Sequence, residues 1–340
     1  MKPPYPLKEI AFQAGLSLAT VDRALHDRPG TRKTTRARVM AAVAELERQY
    51  AAAALDGRRF GVDVVIEAPH RFTRAVRAAF EAELPGLRPA RIAARFHTAE
   101  TMETAAMLAI LRAIRKRGSH GVILKAPARP EVAEAAAALG RVGIPVLTYV
   151  TDLPAACRLA YVGMDNRAAG ASAAWLMGQM LADRPCAILL SLSSAAFAGE
   201  DEREAGFRAV LARHFPTLRA VTVAEGHGVD RATGDRVAAA LADDPEIGAV
   251  YSIGGGNRAV LAAFDQAGRQ CRAFAAHDLD EHNRALLAAG RISFVLHHDL
   301  RHDARMAGQL FLRHHRMLPE SFQAAPSPFS VATPFAIPDM

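Results

Sequence analysis

The chain has little of what secretion, membrane insertion or a metal framework requires. It carries only three cysteines, Cys157, Cys186 and Cys271, widely spaced and in no C-x-x-C pair. That excludes a disulfide framework or a zinc ribbon and fits a reducing compartment. The start, MKPPYPLKEI, has no apolar signal segment. No run of about 18 apolar residues, the length of a membrane span, occurs anywhere. These absences predict a cytoplasmic chain. G-x-S-x-G, Walker and paired-cysteine metal motifs are missing as well, which leaves catalysis with little support.

What is present is a chain of 340 residues, 51% apolar and 23% charged. That composition is ordinary for a globular protein, and the length suits one small and one large domain. The stretch Leu7 to Leu46 reads as three short helices. Leu7, Ile10, Ala11 and Ala14 fall at helical spacing before Gly15 stops the first. Ser17 is an N-cap for the second, with Thr20, Val21, Ala24 and Leu25 facing inward. Pro29-Gly30 lies in a loop, and a third helix from Thr31 carries Val39, Ala42, Val43 and Leu46. Two helices across a Gly-containing turn, steadied by a third, make a helix-turn-helix. Up to residue 60 there are eleven Lys and Arg against six Asp and Glu, an excess of five out of the chain's net +7. Such concentration is the footprint of a phosphate-backbone binder rather than of a merely solvated head.

At Ile10-Ala11, Ala14-Gly15-Leu16-Ser17, Thr20-Val21, Arg23, Thr35-Arg36 and Val39 to Leu46 the chain resembles the lactose-repressor (LacI) family of bacterial transcription regulators. The resemblance implies that the second helix, Leu18 to Leu25, enters the major groove of operator DNA. Leu18 and Ala19 would lie where family members contact bases, limited by their apolar side chains to thymine methyls. Arg23 is the base-reading candidate, since Arg binds guanine O6 and N7 together, and Asp22 is expected to orient it by a salt bridge or to repel wrong contacts. Ser17, Thr20, Lys33, Thr35 and Arg36 are expected on the backbone. Residues 47–59 form a linker, in which the family has a hinge helix that wedges a leucine into the minor groove; Leu55 matches it. The family's aromatic-x-Pro-Asn segment is replaced by Arg48-Gln49-Tyr50-Ala51, so the third helix has no proline to stop it.

From Gly61 onward apolar strands alternate with amphipathic helices, about nine strands in all. Repeated βα units predict parallel sheets, and nine strands suit two Rossmann-like lobes better than one sheet. The expected organisation is a small all-α helix-turn-helix head at 1–46, a hinge at 47–59 and an α/β two-lobed effector domain at 60–340. The lobes are expected at about 60–163 with 294–325, and about 164–293 with the C-terminal residues. This layout resembles type I periplasmic binding proteins, with Val162-Gly163-x-Asp165-Asn166, Ala169-Gly170, Arg203-x-Ala205-Gly206-Phe207 and Ala276-His277-Asp278 as matching motifs.

Ligands of open α/β sheets sit beyond the carboxyl ends of strands. His70, Arg71, Phe72, Lys125, Asp152, Asp165, Asn257, Asp278 and His298 lie at such ends. The resemblance implies that Arg203 grips ligand oxygens, that Asp278 accepts ligand hydroxyls, and that His298 replaces a frequent Gln. A carboxylate beside a guanidinium fork suits vicinal hydroxyls, which points to a sugar or polyol. Phe72 and Phe197 are expected as an apolar wall. Blander roles exist for several of these: Asp165 as a helix cap, Arg203 as a solvated charge, Trp175 as core, His70 and His277 as satisfied strand-end histidines.

Gly254-Gly255-Gly256-Asn257-Arg258-Ala259 formally fits a pyrophosphate-binding turn but lies mid-chain. His297-His298-Asp299-Leu300-Arg301-His302-Asp303 looks metal-like but lacks the Glu of H-E-x-x-H. Neither a cofactor nor a metal is expected. The sequence reads as a homodimeric, effector-responsive repressor binding near-palindromic DNA. Its rivals are a sugar-processing enzyme with an accessory head, drawing an acid/base pair from Asp278 with Asp152 or Asp165, and a transport-type binding protein.

Overall fold

A computed structural model of the chain describes residues 5–55, 59–88, 90–183, 186–319, 321–322 and 326–338, with the side chains of 48–55 outside that description. The chain divides into two compact units, Met1–Arg59 with Arg88–Arg91, and Phe60–Leu87 with Ile92–Met340.

The first unit holds helices α1 (Leu7–Ala14), α2 (Leu18–Leu25) and α3 (Lys33–Leu55). Gly15 ends α1 in the left-handed region at φ 61°, donating its N–H back to the Phe12 carbonyl. Ser17 caps α2, its hydroxyl accepting from the Thr20 N–H at 3.3 Å. Ile10, Ala11, Ala14, Val21, Ala24, Val39, Ala42 and Leu46 close a small core. The third helix begins at Lys33 and runs without a break to Leu55, through the region expected to start a separate hinge. No proline interrupts it, and the alanines of 51–54 are strong helix formers. Asp56, Gly57 and Arg58 lie outside the described residues, as does the Leu55 side chain expected as a wedge.

The second unit repeats one topology twice. Its first sheet contains β1 (Arg59–Glu67), β2 (Arg91–Ala99), β3 (Val122–Lys125), β4 (Val146–Tyr149) and β5 (Ala160–Val162), in the order β2-β1-β3-β4-β5. Helices α4 (His70–Glu83), α5 (Thr104–Arg117) and α6 (Pro130–Gly140) connect these strands. The second sheet contains β6 (Ala187–Ser191), β7 (Arg219–Val223), β8 (Ile247–Ser252), β9 (Phe274–His277) and β10 (Phe294–His298) in the same order, with α7 (Asn166–Leu181) leading in and α8 (Ala198–His214), α9 (Asp230–Asp243), α10 (Asn257–Gln266) and α11 (Glu281–Ala288) between. The strand β11 (Phe329–Ala332) adds antiparallel to β10 at the edge. The central strands β3, β4, β6, β8 and β9 are short and buried on both faces, as parallel strands covered by helices must be.

Two strands escape the sequence pattern. β5 has only three residues, too few for periodicity, and β11 pairs only at the sheet edge. The helix α12 (Leu300–His314) packs against α4 and β5 in the first lobe. β10 itself stays in the second sheet. The return to the first lobe therefore comes at Asp299 rather than at residue 294, because β10 pairs with β9 before the chain crosses. Trp175, expected in the core, is 48% exposed on α7, against His214 and Phe215.

Two motif glycines have a packing reason. A Cβ on Gly170 would stand 1.9 Å from the Arg203 carbonyl oxygen, and one on Gly206 would stand 2.1 Å from that of Arg167. The α7 and α8 backbones are thus in direct contact, which carries Arg203 to the lobe junction.

Candidate functional site

In a sheet ordered 2-1-3-4-5 the crevice opens between the first and third strands. Both lobes turn that crevice toward the same space. The first lobe contributes Glu67 to Pro69 after β1, Arg71 and Phe72 on α4, and Lys125 at the end of β3; the second contributes Ser193 after β6 and Ile253-Gly254-Gly255 after β8. The cleft leaves a cavity of about 60 Å³ between these groups.

Arg203 lies buried at its base. Its Nε donates to Asn166 Oδ1 at 2.8 Å, while its Nη2 is buried with no hydrogen-bond partner. Asn166 is itself held by donating to the Val150 carbonyl and the Tyr161 hydroxyl. Asp278 and Glu67, from opposite lobes, each turn one unpartnered carboxylate oxygen toward the cleft region, Oδ1 and Oε2. His277 Nδ1 is a fourth such atom in the cleft lining, and because buried polar atoms without partners are costly, four around one cleft are a signature of ligand recognition. Val150 and Asp278 also both sit at φ 64°, a strained conformation for non-glycine residues that tends to gather at functional sites.

Lys125 donates to the Glu67 carbonyl at 3.1 Å and stands 4.2 Å from the centre of the Phe197 ring. Phe197 is therefore a cation–π partner, and Phe72 the barer wall. Burial pulls the Lys125 ammonium down from its ordinary pKa, against the carboxylates of Glu200, Glu67 and Asp278. Burial likewise raises Glu200 and Glu67. His277 is held well below the usual histidine range by burial, then by Arg203, so its ring is neutral. Its Nε2 lies 2.7 Å from the Tyr251 hydroxyl.

The two lobes are bridged at the mouth. Arg71 Nε lies 3.0 Å from Asp280 Oδ2, and its Nη2 donates to the Gly228 carbonyl. Arg74 pairs with Glu281 beside it. The Gly254–Gly256 run serves this closure: a Cβ at Gly255 would strike the Arg71 guanidinium at 2.3 Å, and one at Gly254 the Ser193 amide at 1.9 Å.

Of the expected effector residues, Arg71, Phe72, Lys125, Phe197, Arg203 and Asp278 line the cleft; His70, Asp152, Asp165, Asn257 and His298 do not. His70 is exposed as the first residue of α4. Asp152 is taken by both Arg158 nitrogens at 2.6 Å and by the Thr148 hydroxyl. Asp165 caps α7 through the Ala168 N–H; it is the neighbouring Asn166 that points inward. Asn257 donates to Asn283 Oδ1 at 2.6 Å. His298 is buried against Asp303. Sequence reasoning missed Glu67, Ser193, Glu200 and Asp280. Of these Glu67 carried a signal, as an acid ending a buried strand.

In the head, Leu18 and Ala19 are exposed at the start of α2, and Arg23 is exposed with no ion pair among the described residues. Asp22 does not orient Arg23. It pairs instead with His26 at 3.1 Å and Arg28 at 3.0 Å, because i+4 places His26 on the same helix face and i+1 places Arg23 away from it. Arg36 pairs with Asp27, and Lys33 and Thr35 begin α3.

Residues 6–49 match the family model of bacterial regulatory proteins of the lacI family, and residues 62–315 match that of the periplasmic binding protein domain. The chain belongs to the lacI family and carries a periplasmic-binding-protein domain. This lacI-family chain shares its fold with a glucose-galactose binding protein of Geobacillus stearothermophilus, at TM-score 0.73 and 18% identity over 83% of this chain and 99% of that one. A Bacteroides fragilis protein assigned as a LacI transcriptional regulator aligns at TM-score 0.70 and 16% identity, over 82% and 98%. An Agrobacterium vitis transporter solute-binding protein with bound D-fucose aligns at 0.69 and 17%, over 80% and 95%. No curated protein matches the chain by sequence. The lacI-family chain is thus a DNA-binding transcription regulator, and neither family is enzymatic. Among the described residues no helix is long and apolar enough to cross a membrane.

Proposed function

We propose that the chain is a cytoplasmic, homodimeric repressor whose grip on a near-palindromic operator is set by a sugar or polyol bound in the interlobe cleft. Residues 1–46 read the DNA, 47–59 form the hinge and the remainder binds effector. The observation that carries the effector class is that one cleft is lined by a buried donor, Arg203 Nη2, and a buried acceptor, Asp278 Oδ1, both without partners. Adjacent hydroxyls satisfy both at once, and the apolar face of a sugar ring matches Phe72. Arg71, Phe72, Lys125, Phe197, Arg203 and Asp278 are the effector residues, and Leu18, Ala19 and Arg23 the base-reading ones.

Occupation switches the head only through a difference in effector affinity between two dimer arrangements. Thermal denaturation against D-galactose, D-fucose, D-tagatose, L-arabinose and D-fructose tests the reading. A ligand at about 100 times its Kd stabilises by about 2.7 kcal/mol and raises Tm accordingly. Failure of every sugar to move Tm would exclude the sugar class among those tested. The same ligand must change operator affinity in a gel-shift titration, and in the opposite sense to any change in its own affinity caused by operator only if linkage is violated.

A further inference from the structure

Behind the cleft floor the three chain crossings between lobes meet at one run of polar groups. The first crossing is at Gly163 between β5 and α7, the second at Asp299 between β10 and α12, and the third passes Ser327 on its way to β11. The Ser327 N–H donates to the Gly163 carbonyl at 2.9 Å, and its hydroxyl donates to Asp303 Oδ1. Asp303, in the first turn of α12, is fully buried, and its Oδ2 lies 2.5 Å from His298 Nδ1. The other ring nitrogen, His298 Nε2, faces Asp278 Oδ1 at 3.8 Å. Neither of those two atoms has a hydrogen-bond partner, and the contact of His298 Nδ1 with Asp303 Oδ2 is an ion pair by distance alone. The run therefore ends on the carboxylate oxygen that the cleft offers to a ligand.

With both nitrogens protonated, the His298 ring meets a carboxylate on each side and holds Asp278 by charge, at a distance that leaves Oδ1 free to accept from a ligand hydroxyl. With Nε2 unprotonated, a lone pair faces that oxygen and the attraction becomes repulsion. The groups facing the ring are Asp303 from α12, Asp278 from the turn after β9, Arg203 from α8, His277 from β9 and His297 from its own strand; the Tyr149 hydroxyl on β4 lies in range of the same two acids. Burial opposes the charged ring, but the charges of Asp303 and then Asp278 outweigh it and raise its pKa above the usual histidine value.

We propose that His298 is a positioning residue of the effector site, which sets Asp278 for ligand only while its ring carries both protons, so that effector recognition is linked to one proton at the lobe junction. This rests on the reading of the cleft as the effector site.

The test has two arms on the full chain. Nitrogen-resolved NMR of the imidazole rings follows His298 through a pH titration in the wild type and in Asp278→Asn. The ring should titrate above the usual histidine range, and Asp278→Asn, by removing one neighbouring opposite charge, should move that titration down. Calorimetric titration with D-galactose and D-fucose forms the second arm. Affinity should fall about tenfold, one pKa unit's worth, as pH rises through the ring's titration. In His298→Gln, whose amide still donates toward Asp278, binding should persist without that dependence. An unchanged His298 titration in Asp278→Asn, or the same pH dependence in His298→Gln, overturns the proposal. Expected ring behaviour with no binding of either sugar at any pH counts instead against the sugar reading of the cleft.

Discussion

Arg71, on the first lobe, reaches across the cleft mouth to Asp280 on the second, Nε to Oδ2 at 3.0 Å with both side chains largely buried. Asp280 also accepts from the Asn283 N–H at 2.8 Å and so caps α11. Breaking a buried pair on one side strands the other charge, a loss of about 3 kcal/mol. Arg71→Ala should lower stability by that order in urea denaturation. The double variant Arg71→Ala/Asp280→Ala should lose less than the sum of the singles, since it leaves no stranded charge. Additive losses would mean the two residues do not act as a latch.

Arg23 and Lys33 should separate in DNA binding. Arg23→Ala should weaken operator binding by about 1–3 kcal/mol and relax preference at one base pair. Lys33→Ala should weaken operator and random DNA alike and reduce the salt slope by about one. Equal losses on both DNAs for Arg23→Ala would remove it as a base reader.

Asp22 binds His26 and Arg28, so it occupies a cation at the DNA-facing helix. Asp22→Ala should free Arg28 for phosphate, tightening binding to random DNA and steepening its salt dependence by about one unit. Fluorescence anisotropy at several salt concentrations reads both.

Gly206 has a neighbouring backbone oxygen 2.1 Å from where a Cβ would stand. Gly206→Ala must push α7 and α8 apart, at a cost of about 3 kcal/mol by the usual scale of overpacking. It also displaces Arg203, three residues earlier on α8. Thermal melting should show the destabilisation, and any sugar that shifts Tm in the wild type should lose most of its effect.

Asp63, fully buried, receives Arg95, His97 and Arg117 around one carboxylate. Burial alone would raise its pKa, but hydrogen bonds from Arg95, Ser119, His97 and Arg117 together hold it well below the usual carboxylate range. Its contribution is thus fully present above the unfolded value of about 3.9 and is lost only as pH falls toward the folded one. Asp63→Asn should cost about 2 kcal/mol at pH 7, discounted because both arginines are half exposed. The deficit should shrink below about pH 3.9, where the unfolded wild-type chain takes up a proton that the folded carboxylate still refuses.

The head was readable because its rules are local. Gly15 as a left-handed stop, Ser17 as a cap and an apolar face at i, i+3 and i+4 act within a few residues, and they place α1 and α2 where the periodicity puts them. The alternation of strands and helices in the large unit was readable for the same reason. Arg203 and Asp278 were named from motif resemblance, and both stand in the cleft. The failures turn on which partner each strand-end group finds. Asp152 was a reasonable strand-end acid, yet Arg158 takes it; Asp165 and Asn166 are adjacent, yet one caps a helix and the other holds Arg203.

The residues alone determine that this chain makes a basic three-helix head and a long βα series, since capping, periodicity and charge are carried by near neighbours. Only the tertiary structure decides which strand-end groups share a space. It sets Arg71 against Asp280, brings Glu67 and Asp278 to one cleft from opposite lobes, and puts His298 behind Asp278 rather than beside it. Those relations depend on how two sheets of the same order face each other and where the chain crosses between them. No local spacing encodes such an arrangement, because burial and Coulombic pairing act between residues that only the folded sheets make neighbours, as far apart in sequence as Arg71 and Asp280.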